Sequence, residues 1–184
     1  AILALRKIEA YLSHLGYDVV VCPPQEVGRF RARAFIVSTM DPLGTGPATT
    51  TMVGLAGGKA PFNKFFFERL VRNIRTTHKG PIIAGGPGAW EFRIFPDSQR
   101  ELGIDCIFLG AAEAAPQEFW DAALKGNIPA TYKGSEMRPD PFPIKGPSFW
   151  GMVEISRGCG RGCQFCDLEL MSGFKWLPID FIVK

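Results

Sequence analysis

Ala34-Phe35-Ile36-Val37-Ser38-Thr39-Met40 is a short, almost unbroken run of aromatic and β-branched residues that ends in small polar ones. A run of this kind suits a strand covered on both faces, as in a parallel sheet, rather than one with alternate residues in water. Two more runs repeat the pattern downstream. Ile82-Ile83-Ala84 passes into Gly85-Gly86-Pro87-Gly88, and Ile104-Asp105-Cys106-Ile107-Phe108-Leu109 stops at Gly110. Helical periodicity separates them. From Phe62 onward, Phe66, Leu70 and Ile74 fall at four-residue steps, with Arg69, Arg72 and Arg75 on another side, until Gly80-Pro81 ends the pattern. Residues 111–125 read as a further helix, with Pro116 near its first turn.

The same alternation extends toward the N-terminus. Ile2, Leu5, Ile8, Leu12 and Leu15 mark an amphipathic helix closed by Gly16, and Tyr17-Asp18-Val19-Val20-Val21-Cys22 reads as a strand ended by Pro23-Pro24. Alternating helices and strands predict an α/β fold, a Rossmann-like doubly wound parallel sheet with helices on both faces. Sheets of that kind take ligands at the carboxyl ends of their strands. The Gly/Pro/Thr-rich residues 41–61 are too long for an ordinary connection and read as a functional loop.

Periodicity fails over residues 127–148, where prolines stand at 129, 139, 141, 143 and 147. The expected organisation is a first domain over 1–126, a proline-rich linker over 127–148, and the start of a second domain over 149–184. In that last part Trp150 to Ile155 reads as a strand, a cysteine loop follows, and Pro178 opens a helix. The chain has no initiator Met and opens directly in helical periodicity, so a fragment is expected.

Composition excludes several classes. Hydrophobic residues make up 46% and charged residues 21% of 184, the balance of a globular protein. The net charge of +3 is scattered and gives no nucleic-acid signal. No apolar run approaches the ~18 residues of a membrane span, and no signal-peptide layout is visible, so a cytoplasmic protein without a membrane partner is expected. Gly44-Thr45-Gly46 matches neither a dinucleotide fingerprint nor a P-loop.

Five cysteines are an odd number, and three lie within Ser156-Arg157-Gly158-Cys159-Gly160-Arg161-Gly162-Cys163-Gln164-Phe165-Cys166. Thiolates at this spacing can wrap one small cluster from a single loop, and the three glycines permit the tight turns. Arg157 and Arg161 are expected to favour thiolate over thiol. A four-iron cluster takes four ligands, and no fourth cysteine is near, which leaves one iron open. A structural zinc site short of a ligand and a reactive dithiol are the alternatives. Cys22 and Cys106, in apolar strands, are expected to pack as small hydrophobes.

The loop resembles the CxxxCxΦC signature of the radical S-adenosylmethionine superfamily, with Phe165 at the aromatic position. The resemblance implies a [4Fe–4S] cluster on Cys159, Cys163 and Cys166 whose open iron chelates S-adenosylmethionine. It also implies a partial TIM barrel, of which only the truncated start is expected here, with Phe165 near the adenine and an electron donor such as ferredoxin or flavodoxin. Cleavage of S-adenosylmethionine to a 5′-deoxyadenosyl radical is the family's chemistry.

The first domain is similar to the cobalamin-binding domain that precedes the barrel in one subgroup. There, a Ser-x-Leu-like turn and a Gly-Gly turn surround the nucleotide tail of cobalamin. Ser38-Thr39-Met40 and Gly85-Gly86 stand in those places, with Met40 a departure from Leu. The subgroup's Asp-x-His-x-x-Gly motif would precede the first helix, and His14 sits at the wrong place for it. The wider text around Met40–Met52, Gly85–Trp90 and Val153–Cys159 is similar to archaeal members. The resemblance implies methyl transfer to an unactivated carbon of an unknown substrate, by residues mostly outside this chain, so that the chain alone is expected to be inactive. A cobalamin-free radical enzyme of the methylthiotransferase kind would need more cysteines in the first domain. A non-catalytic cobalamin or metal carrier is the remaining alternative.

Overall fold

Ile82, Ile83 and Ala84 are almost completely buried, as are Cys106, Ile107, Phe108 and Leu109 beside them, and this two-strand centre organises the larger part of the chain. The computed structural model describes residues 2–58, 61–134, 142–158, 161 and 174–182. In chain order the elements are α1 (Leu3–His14), β1 (Phe35–Ser38), α2 (Pro47–Leu55), α3 (Phe62–Thr77), β2 (Ile82–Gly85), α4 (Glu91–Ile94), α5 (Pro96–Leu102), β3 (Cys106–Leu109), α6 (Gln117–Leu124), β4 (Thr131–Lys133), β5 (Ser156–Arg157), β6 (Lys175–Trp176) and α7 (Ile179–Ile182). They fall into two compact units, residues 24–109 with 118–133, and residues 1–23 with 110–117 and 134–184.

The first of these units holds a four-stranded parallel sheet in the order β1-β2-β3-β4. Ser38 faces Gly85 across β1 and β2, Ala84 faces Ile107 across β2 and β3, and Phe108 faces Tyr132 across β3 and β4. Each parallel step is made through helix, as the chain geometry of parallel neighbours demands. The α/β class and the parallel sheet agree with the sequence. The reversal of strand order that defines a doubly wound sheet is not present among the described strands, which run consecutively.

Aromatic packing closes the far end of the sheet, where Phe108 meets Phe119, Trp120 and Tyr132 with ring centres 5.4, 6.0 and 5.2 Å apart. Arg75 at the end of α3 clamps the strand starts. Its Nε donates to Gly103 O at 2.6 Å, its Nη1 to Gly80 O at 3.0 Å, and its Nη2 to Asp105, whose Oδ2 also accepts from Ile82 N at 2.7 Å. The Cys106 thiol, in β3, is pushed up to about 11 by burial, so it packs as the inert apolar group expected of it. Cys22 is half-buried.

Several local expectations change. Residues 17–22 form no strand, because an extended segment without a ladder partner leaves its backbone groups to other bonds, and no described strand pairs with it. Residues 41–61 contain α2, started by Pro47 after Gly46, with the hydroxyls of Thr50 and Thr51 bonded back to Pro47 O. In α3 the buried stripe is Phe67, Val71 and Ile74, so Phe66 is exposed rather than central. Pro116, which has no N–H, divides the expected helix over 111–125 into a 3₁₀ turn at Ala112–Ala114 and α6. Residues 127–148 include β4.

The second unit is built on α1. Tyr11 donates its hydroxyl to Ala115 O and packs on Phe142 at 5.4 Å, while the exposed His14 meets the same ring at 4.5 Å. Arg6 Nε donates to Pro147 O at 3.0 Å. The strand expected over Trp150 to Ile155 does not form. Phe149–Gly151 is instead a 3₁₀ turn in which Trp150 has φ 56° and Gly151 φ 64°, a left-handed reversal incompatible with an extended run. The strand lies one step later, as β5 pairing antiparallel with β6. The described residues show no barrel strand, and α7 follows Pro178 as expected.

Ile107 occupies the middle of the sheet at 1% exposure, so Ile107→Ala should lower unfolding stability by about 2–5 kcal/mol, read by chemical denaturation. An effect below about 1 kcal/mol would mean that this strand is not central.

Candidate functional site

The carboxyl ends of β1 and β2 turn over side by side. Thr39 N donates to Gly85 O at 2.9 Å, and Gly88 N donates to Thr39 O at 3.0 Å, so the ladder continues past the strands into the two turns. This approach explains the glycines. Gly86 has φ +98°, and a Cβ there would lie 2.7 Å from Thr39 O and 2.8 Å from Ser38 Oγ. A Cβ on Gly88 would lie 2.3 Å from Met40 O.

The structure thus brings Ser38, Thr39, Met40, Gly85 and Gly86 together, and it divides their roles. Ser38, Thr39 and Met40 line a cleft of about 830 Å³ between the end of β1 and α3, with Asp41, Phe66 and Arg69 among its other walls. Met40 is 75% exposed and Thr39 is buried. Gly85 and Gly86 do not line the cleft and serve the close approach of the two turns.

Sequence reasoning missed a carboxyl pair beside the cleft. Asp41 accepts Gly46 N at 3.1 Å, the Thr49 hydroxyl, and Asn63 Nδ2 at 3.5 Å, which seats it at the N-terminal turn of α2. Glu91 is fully buried, and its Oε2 accepts Leu43 N at 2.8 Å. The two carboxyls lie close enough to shift each other's titration. Burial, and then the Asp41 carboxylate, push Glu91 up to about 7. Burial acts upward on Asp41 too, but the bonds from Glu91, Thr49, Gly46 and Asn63 outweigh it and hold Asp41 below the usual carboxylate range. On the acid side of about pH 7 the pair therefore keeps a proton on Glu91, with Asp41 as the charged acceptor at the cleft, and Glu91 releases that proton as pH rises through about 7. A signal was available in Asp41-Pro42, which follows a strand end within the loop already singled out.

Cys159, Cys163, Cys166 and Phe165 lie outside the described residues. The two stems of their loop are described. Ser156 pairs with Trp176 and Arg157 with Lys175, and Leu177 N donates to Ile155 O at 3.0 Å, so the chain enters and leaves residues 158–174 through one closed base. Arg157, expected to favour thiolate at cysteines outside the described residues, is itself engaged in ion pairs. Its guanidinium binds both oxygens of Glu154 at 2.7 and 2.8 Å and Glu113 Oε1 at 2.7 Å. Lys7 Nζ reaches the same Glu113 oxygen at 2.8 Å and Glu154 at 2.7 Å. Two cations and two carboxylates compensate each other. Arg161 is exposed. Among the described residues no group of three or more His, Cys, Asp or Glu could hold a metal ion, and no helix is long and apolar enough to cross a membrane.

Glu91 binds its proton more tightly in the folded chain, near pH 7, than at its ordinary value of 4.5. Its contribution to stability is thus complete below about pH 4.5, falls as pH rises toward 7, and is flat above. Glu91→Gln, neutral at every pH, should flatten the dependence of Tm on pH across that window. An unchanged slope in the variant would remove Glu91 from this account.

No protein-family model matches the chain, and no solved structure matches it. Among curated proteins the chain is similar to the uncharacterized methyltransferase sll1242 of Synechocystis sp., with 29% identity over 119 residues. That match takes in 59% of this chain and 22% of the relative, so the chain spans about a fifth of the length of the curated protein it matches.

Proposed function

We propose that this chain is part of a radical S-adenosylmethionine enzyme that uses cobalamin to methylate an unactivated carbon. The observation that carries the reading is the set Cys159, Cys163 and Cys166, three thiols within eight residues. The donor set fits a [4Fe–4S] cluster, since soft thiolates select iron–sulfur and three of them leave one iron open. The similarity to a methyltransferase favours methyl transfer over other radical outcomes.

Cobalamin is supported by Ser38, Thr39 and Met40 along a cleft large enough for a ligand tail, at the strand ends where parallel sheets bind. When bound, the cluster would supply the electron that cleaves S-adenosylmethionine, and cobalamin the methyl group. The chain's residues would do the holding. Ser38 offers a hydroxyl to a polar ligand edge, Met40 an apolar cover, and Asp41 a charged acceptor. Phe165 would pack near the adenine, and ferredoxin or flavodoxin would deliver electrons. A cobalamin-free radical enzyme is the second reading. It is favoured by Gly86, whose missing side chain is accounted for by the protein's own Thr39.

Anaerobic iron–sulfur reconstitution with hydroxocobalamin, on wild type and Cys163→Ala, tests both. About four irons per chain, lost in the variant, with one cobalt is the expected result. Iron without cobalt would favour the second reading, and zinc in place of iron would contradict the proposal.

A further inference from the structure

Helix α3 carries the cations Lys64, Arg69, Arg72 and Arg75, and all but one of them are engaged by the protein. Lys64 and Arg72 reach Glu68 at 3.8 and 3.6 Å, and Arg75 clamps the strand starts. Arg69 has no ion pair or hydrogen bond among the described residues. Free arginines are common on surfaces, so the place of this one decides what it can do. It lines the cleft of about 830 Å³ at the carboxyl end of β1. There it shares one stripe of α3 with Phe66 and Asn73, which also line the cleft and lie three residues before and four after it.

The rest of the lining is of two kinds. Met40 at the strand end and Phe66 on the helix are 75% and 58% exposed, an apolar cover offered from both walls. Gln25, Ser38 and Asn73 bring polar side chains that bond to nothing else among the described residues. Asp41, the carboxylate of the lining, is buried and already accepts from Gly46, Thr49 and Asn63. Arg69 is therefore the accessible charge of the cleft. Its complement is an anionic group joined to a flat or apolar body.

We infer that the cleft binds a nucleotide-like phosphate ester, with Arg69 holding the phosphate and Met40 and Phe66 covering the body attached to it. Phosphate is favoured over carboxylate because the arginine fork alone occupies a carboxylate. A phosphate has oxygens left over for Gln25, Ser38 or Asn73. Cobalamin carries such a group in its nucleotide tail, and a free mononucleotide carries one too. The choice of cobalamin as the source rests on the proposed function; the phosphate site does not.

Isothermal titration of the whole chain with four probes tests this. Hydroxocobalamin and 5′-AMP carry the phosphate ester, while cobinamide and adenosine lack it. Arg69 is exposed and unpaired, so Arg69→Gln should keep the wild-type Tm. It should weaken binding of a phosphate-bearing probe about 10–100-fold, the loss of a charge-assisted bond. Binding of its phosphate-free counterpart should not change. Arg69→Lys, which keeps the charge and loses the fork, should fall between, and Arg72→Gln should behave as wild type.

Hydroxocobalamin weakened by Arg69→Gln to the level of cobinamide would assign the site to the cofactor's tail. Arg69-dependent binding of 5′-AMP without binding of hydroxocobalamin would leave a phosphate site for a free nucleotide and refute the cobalamin part of the proposed function. Hydroxocobalamin held equally by wild type and Arg69→Gln would overturn the inference and leave that function standing. Failure of wild type to bind either phosphate-bearing probe would overturn the inference as well.

Discussion

Backbone contact between two strand-end turns is the constraint on which the sheet unit's candidate site depends. Ser38 opposite Gly85 sets the register, and two further hydrogen bonds carry it into Thr39 and Gly88. Side chains at positions 86 and 88 would force the turns apart. With the turns closed, Asp41 stands at the rim of the cleft and Glu91 comes beneath it. Burial and the neighbouring Asp41 carboxylate then raise Glu91 to about 7.

The cysteine unit is governed by a different interaction. Among its described residues Tyr11, Leu12 and Leu177 are buried, while Trp150, Trp176 and Ile179 are each more than two-thirds accessible. Order there comes from α1, through Tyr11 on Ala115 and Phe142 and through the ion ring on Arg157. A ring of compensated charges costs desolvation when it forms, and breaking one member leaves a sheltered charge unpaired. Such a device specifies position more than it adds stability.

Much of the sheet unit was legible in the sequence because its signals are local. Runs such as Phe35-Ile36-Val37 and Cys106-Ile107-Phe108-Leu109 are buried strands by composition, and Gly80 and Gly110 end or separate elements by their lack of a side chain. Tyr17 to Cys22 misled, since β propensity does not supply a ladder partner. Trp150 to Ile155 misled because one left-handed residue, Trp150, reverses the chain inside an apolar run. The Phe66 stripe was offset by one position, an error that four-residue spacing alone cannot detect when Phe65, Phe66 and Phe67 stand together. In the site, Ser38 to Met40 and the glycines were found from the ends of strands. Glu91 was not, because a carboxylate between Trp90 and Phe92 gives no hint in one dimension that another waits at Asp41.

The central claim is that three cysteines hold an iron–sulfur cluster with one iron open to S-adenosylmethionine. The most direct measurement is low-temperature EPR with electron–nuclear double resonance on the reduced, reconstituted protein, using S-adenosylmethionine labelled with ¹⁵N at its amino group. The account predicts a [4Fe–4S]⁺ signal that changes on addition of the cofactor and carries a ¹⁵N coupling. A cluster signal indifferent to the cofactor, with no ¹⁵N coupling, would contradict it.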